Sequence, residues 1–132
     1  MVRPVTSWSV DPNADAPPSR QLVEAALDAM ASGVLRAGDR LPSVRALAAE
    51  ALVNANTVAR AYRDLEALGA TRGENGRGVF VTDEGEEIAR RARSSVTLDA
   101  FRRAAHEALR AGHRGAALAD VLMEEEGKRN SA

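Results

Sequence analysis

Residues 43–69, "SVRALAAEALVNANTVARAYRDLEALG", set two helix signatures back to back with almost no chain between them. Ser43 is placed to cap the first, and Val44, Leu47, Ala48 and Ala51 recur at the spacing of one helix face. After a break at Leu52-Val53, Asn54 is placed to cap the second, its side-chain oxygen accepting from the amide of Asn56 or Thr57. Gly69 closes that helix. Val58, Tyr62 and Leu65 share its apolar face, with Ala61 and Leu68 at the edge. Asn56, Arg60, Arg63 and Ala67 lie opposite, the polar three at i, i+4 and i+7. A short capped helix, a tight turn and a longer polar-faced helix predict a helix-turn-helix.

The outward row has a chemical use. Asn can pair with an adenine edge and Arg with guanine, each through two hydrogen bonds. Thr57 suits a phosphate or a thymine methyl, and amides of a first helical turn favour phosphate. A solvated outer face is the simpler reading for any single helix, but here the surroundings favour the first. "ATRGENGRGVFV" follows, with Gly73, Gly76 and Gly78 around Asn75 and β-favouring residues at its end. It predicts two short strands, the first over Ala70 to Arg72, joined by a glycine-rich turn. Arg72 and Arg77 fall near the tip, as in the wing of a winged helix.

The stretch "LRAGDRLPSVRALAAEALVNANTVARAYRDLEALG" resembles the GntR family of bacterial transcription regulators, and the likeness covers roughly residues 19–81. "VDPNADAPPSRQLVEA" upstream is similar to the short-tailed, YtrA-type members. The resemblance implies that Arg45 contacts DNA together with residues of "NANTVAR" and the glycines of "GRG". The expected groove contacts are Arg45, Asn56 and Arg60. Ser43, Thr57 and Arg63 are expected to position the protein on phosphates, Asn54 to start the helix at the DNA surface, and Arg77 and Gly78 to approach from the wing tip. Family wings carry an apolar strand and basic residues where this chain has Ala70, Thr71, Glu74 and Asn75, so its wing should hold phosphate less strongly.

Around this centre the chain divides into four expected segments. Residues 1–18 form an arm, in which Trp8 and Val10 alternate with Ser7 and Ser9 as in a short half-buried strand. Residues 19–82 make the winged helix-turn-helix, opened by a helix with Ser19 as cap, Leu22, Val23, Ala26, Leu27 and Met30 as inner face, and Gly33 as terminator. "VLRAGDRLP" then reads as a loop turning at Gly38-Asp39. Residues 83–127 read as three helical pieces, about 83–94, 97–111 and 115–126, and residues 128–132 as a disordered end. Of the 132 residues, 51 follow Val81 (132 − 81), too few for an enclosed ligand domain with its own core. Leu98, Phe101, Leu109, Leu118 and Leu122 form stripes that helix-to-helix dimerisation buries most simply. The YtrA-type resemblance, through "AGHRG", implies a two-fold dimer, hence a pseudo-palindromic operator. It also leaves room for a small-molecule effector whose identity the residues do not specify.

Composition removes other classes. There is no cysteine, and His106 and His113 alone do not make a metal site. With no apolar leader and no run of spanning length, a cytoplasmic protein without membrane contact is expected. Net charge −1 and a pI of about 6.1 argue against a sequence-blind nucleic-acid binder. No nucleophile–base pair or carboxylate dyad is visible, and "GENGRG" lacks the Lys-Ser/Thr of a phosphate loop, so neither an enzyme nor a cofactor is expected. The expectation is a mainly α protein with a small β-wing: a dimeric DNA-binding transcription regulator, most simply a repressor. The alternative is a winged helix used for protein–protein contacts; it lacks aromatic or aliphatic anchors on the outward row.

Overall fold

The computed structural model describes residues 6–131. Five helices and one two-stranded sheet follow in order: α1 (Pro18–Ala31), α2 (Val44–Ala51), α3 (Ala55–Ala67), β1 (Thr71–Glu74), β2 (Gly78–Val81), α4 (Gly85–Arg110) and α5 (Gly115–Asn130). The chain separates into two compact units, meeting at Ser94/Ser95. The first unit thus runs past residue 82, where the winged helix-turn-helix was expected to close, and includes the first part of α4.

The first unit is built on α3. Val58, Ala61 and Leu65 are wholly buried and Tyr62 nearly so, packed with Leu22, Ala26, Leu27 and Met30 of α1 and Leu47 and Ala51 of α2. Ala61, at the edge of that face, is buried as fully as its centre. Leu68 does not join it: it is the C-cap residue, where the helix ends, and is half exposed. Leu41, Ala70, Val81 and Ala89 close the remaining sides. Arg93 of α4 holds α1 through Asp28, with Nε donating to Oδ1 at 2.6 Å.

Helix α1 begins one residue before the expected cap. Pro17 is its N-cap and Pro18 its first residue, so Ser19 stands inside the first turn. Proline suits that place because its fixed φ is helical and its missing N–H would have been unpaired. Gln21 supplies the tie instead, its Nε2 donating to the carbonyls of Asp11 and Ala16 and its Oε1 accepting from the Asp11 amide. The arm is thereby fastened to α1. Thr6 and Trp8 are buried while Ser7 and Ser9 are exposed, so the alternation is present, but residues 6–10 form no strand because no ladder partners them.

The wing has a third contributor. β1 and β2 pair antiparallel, Thr71 opposite Val81 and Glu74 opposite Gly78. The expected loop at Gly38–Leu41 adds to the other edge of β2, with Arg40 bridging Phe80 and the Leu41 amide donating to Val79 O at 2.8 Å. β1 also starts later than expected. Ala70 belongs to the helix end, its amide donating to Leu65 O.

The second unit, residues 95–131, consists of the remainder of α4 and α5, joined at Ala111–Arg114 with Gly112 at φ 100°. Two expectations fail here. Helix α4 runs through Ser94-Ser95 without a break, since serine weakens a helix without stopping it and no glycine or proline lies there. α5 continues to Asn130, through most of the segment expected to be disordered. Lys128 pairs with Glu125 at 2.8 Å, and Lys128 and Arg129 sit in the last turn, where the helix dipole favours cations. No described residue of this unit is buried. No described helix is long and apolar enough to cross a membrane.

Candidate nucleic-acid interface

The geometry of α2 and α3 is set by two caps and one hydrogen bond. Ser43 Oγ accepts from the Ala46 amide at 3.1 Å, and Asn54 Oδ1 accepts from the Asn56 amide at 2.8 Å. Tyr62 Oη donates to the Pro42 carbonyl at 2.6 Å, tying the middle of α3 to the chain entering α2. Burial, and then the nearby Glu50 carboxylate, push the Tyr62 phenol well above its ordinary range, so it remains a donor. Between the helices Leu52 turns the chain in the left-handed conformation, φ 56° and ψ 47°.

These constraints hold one face of α3 outward. Asn56, Arg60 and Arg63 are exposed, as is Arg45 in the first turn of α2. Arg45, Arg60 and Arg63 make no ion pair among the described residues. Other arginines of this unit do: Arg20 with Glu24, Arg90 with Glu86, Arg91 with Glu87 and Arg93 with Asp28. Three of the unit's guanidiniums without an ion pair thus lie on the helix-turn-helix; Arg36 and Arg40, in the loop before it, also have none among the described residues. Thr57, beside the row, differs from it. It is half-buried and lines a cleft of about 350 Å³ with Val10, Pro12, Pro18, Ala51, Leu52 and Val53.

The wing tip is organised otherwise. Glu74 pairs with Arg72 at 3.2 Å and with Arg77 at 3.6 Å, so Arg77 is already engaged. Gly78 has φ 120° and lies against Arg40, whose Nε would stand 2.6 Å from a β-carbon added there. Sequence reading missed Arg40, because "GDRLP" carries turn residues and only its pairing with β2 makes it part of the wing. The one signal in the sequence is the charged–apolar alternation of Arg40 and Leu41. Among the described residues no His/Cys/Asp/Glu cluster could hold a metal ion.

A family profile described as "Bacterial regulatory proteins, gntR family" matches residues 18–81, the span of α1 through β2. The chain belongs to the GntR family. Within it, this GntR protein is 35% identical over 74 residues to the HTH-type transcriptional repressor YtrA of Bacillus subtilis. It is 49% identical over 69 residues to the HTH-type transcriptional regulator Rv1152 of Mycobacterium tuberculosis. The matches take in 56% and 51% of this chain and 57% of each relative's length. A solved transcriptional regulator from Oenococcus oeni superposes with a TM-score of 0.61 at 30% identity, over 87% of this chain and 95% of that one. The winged helix-turn-helix assignment agrees with these.

The expected dimerisation residues lie in the second unit. Leu98, Phe101, Leu109 and Leu122 are about half exposed, and Leu118 somewhat less. Phe101, Leu109, Leu118 and Leu122 line one apolar groove of about 620 Å³ between α4 and α5, floored by Ala104, Ala105, Ala108 and Gly115. Leu98 stands outside it.

Proposed function

We propose that this GntR-family protein is a sequence-specific, DNA-binding transcription regulator, a repressor that binds a pseudo-palindromic operator as a homodimer. The observation that carries the reading is the exposed, unpaired row of Asn56, Arg60 and Arg63 on α3, with Arg45 beside it on α2. A cation with no ion-pair partner among the described residues breaks no intramolecular bridge to meet a phosphate or a guanine edge. Ser43 and Asn54 spend their oxygens on capping, so their part is to orient the first turns of α2 and α3. The Ser43 hydroxyl proton and the Asn54 amide group remain for phosphate. Thr57 contributes from the rim of its cleft.

The dimer belongs to the same proposal. An apolar groove lined by Phe101, Leu109, Leu118 and Leu122, in a unit none of whose described residues is buried, is covered when a second copy supplies its own helix pair. Whether the groove also receives an effector is a separate matter from DNA recognition.

The test is selection of bound duplexes from a random pool, followed by binding of the recovered sequence at fixed salt. A two-fold symmetric consensus is expected. Arg60→Ala and Arg45→Ala should each weaken binding by about 1–3 kcal/mol and relax the preference at one position in each half-site. An unsymmetrical consensus would remove the dimer, and recovery of no consensus would remove sequence-specific recognition.

A further inference from the structure

The wing holds Arg40 and Arg72 on one outer face and Arg77 in its turn, and of the three only Arg40 has no ion pair among the described residues. Residues in register across a sheet share a face, so Arg40, Phe80 and Arg72 stand in one row, with Glu74 and Gly78 one step nearer the tip. Val81 and Thr71, on the other face, are buried. Arg72 turns to Glu74, with Nε donating to Oε1 at 3.2 Å, and Arg77 reaches the same carboxylate from the turn. Glu74 thereby occupies both tip arginines.

Arg40 is exposed and has no ion pair among the described residues. Its guanidinium extends from the Phe80 position along β2 to lie over Gly78. Nε, Cζ and Nη2 would all come within 3.3 Å of a β-carbon at residue 78. Gly78 therefore leaves the space in which Arg40 lies. Leu41 and Pro42 alone separate Arg40 from Ser43, the cap of α2.

We infer that Arg40, rather than Arg72 or Arg77, is the wing's contact to a DNA backbone phosphate beside the groove occupied by α3. This rests on the DNA-binding reading above. It replaces the expected tip contact by one at the wing's other edge and gives Glu74 a function, that of keeping the tip from adding sequence-blind affinity.

The experiment measures affinity against salt for the selected operator and for a scrambled duplex of the same length. Arg40→Ala should weaken both by roughly tenfold, as expected for a lost charge-assisted contact. It should also reduce the slope of log K against log salt by about one. Arg40→Lys should keep the slope. Arg77→Ala should change affinity less than about twofold, and Glu74→Gln should tighten the scrambled duplex severalfold, because it releases two cations. Circular dichroism melts check that each variant folds. An Arg40→Ala protein with the wild-type slope, alongside an Arg77→Ala protein with a reduced one, overturns the inference while leaving the regulator reading intact. A wild-type protein that binds neither duplex sinks both.

Discussion

The two units use similar residues to opposite ends. Residues 6–94 bury Leu22, Met30, Leu41, Leu47, Val58 and Leu65 almost completely. Residues 95–131 are as rich in leucine and alanine, yet Val96, Leu98, Phe101, Leu109, Val121 and Leu122 are each about half exposed. The difference is one of closure. In the first unit α3 meets α1, α2 and β1, so its apolar face is enclosed from several directions. In the second, each helix has one neighbour within the unit, and two helices leave half of each stripe uncovered. An apolar stripe at helical spacing therefore specifies a buried face, but not whether the same molecule supplies the cover.

The largest expected effect tests that contrast directly. Leu65→Ala should cost about 2–5 kcal/mol of unfolding free energy, because a wholly buried side chain leaves a cavity among packed neighbours. Leu109→Asp should change the denaturant stability of the first unit by less than about 0.5 kcal/mol, as a substitution at an exposed site. It should instead convert dimer to monomer in sedimentation, with operator binding lost alongside. If Leu109→Asp lowered monomer stability as much as Leu65→Ala, the second unit would have to close within one chain.

Tyr62 gives a smaller effect and a pH signature. Tyr62→Phe removes the donor to the Pro42 carbonyl and should cost about 1 kcal/mol at neutral pH. Above pH about 10, near the ordinary phenol value, an unfolded tyrosine loses its proton while the folded Tyr62 keeps it. The unfolded state then binds fewer protons, so stability falls as pH rises. Because the chain has one tyrosine, Tyr62→Phe should flatten this alkaline fall without another phenol interfering. Urea melts from pH 8 to 11 measure both parts. A mutant with the same alkaline slope as the wild type would place the effect elsewhere in the molecule.

Much of this was legible in the sequence where local chemistry decides local structure. The caps at Ser43 and Asn54, the stops at Gly33 and Gly69, the outward row of α3 and the break at "AGHRG" all follow from the residues themselves. What was not legible depends on partners distant in the chain. Arg40 became part of the wing through Phe80, forty residues later, and Glu74 claimed Arg77 through a turn that the glycines only permit. Trp8 reads as a strand residue by alternation, but its place in the core depends on the arm being tied down by Gln21. Ser94-Ser95 reads as a helix break because serine is a weak helix former; the helix continues there, although the division between the two units falls at that pair. The i, i+4 pairs Glu86–Arg90 and Glu87–Arg91 lie in the preceding turns of the helix that carries through it.

The smallest effect concerns Leu52, the most exposed leucine of the first unit. Leu52 is 90% exposed and is the one non-glycine described residue with positive φ. A left-handed backbone costs an L-residue roughly 1–2 kcal/mol, which glycine avoids. Glycine also loosens the unfolded chain, which returns several tenths of a kcal/mol to the other side. Leu52→Gly should therefore stabilise the protein by somewhat less than about 1 kcal/mol, read as a higher denaturant midpoint with an unchanged slope. The opposite sign would be informative. Leu52 lines the cleft with Val10, Pro12 and Thr57, at the start of α3. A destabilised Leu52→Gly would mean that its side chain is covered in the folded ensemble by more than the cleft contains. The first unit would then share the second unit's need for a cover, and the leucine would be held in a costly conformation by what it touches.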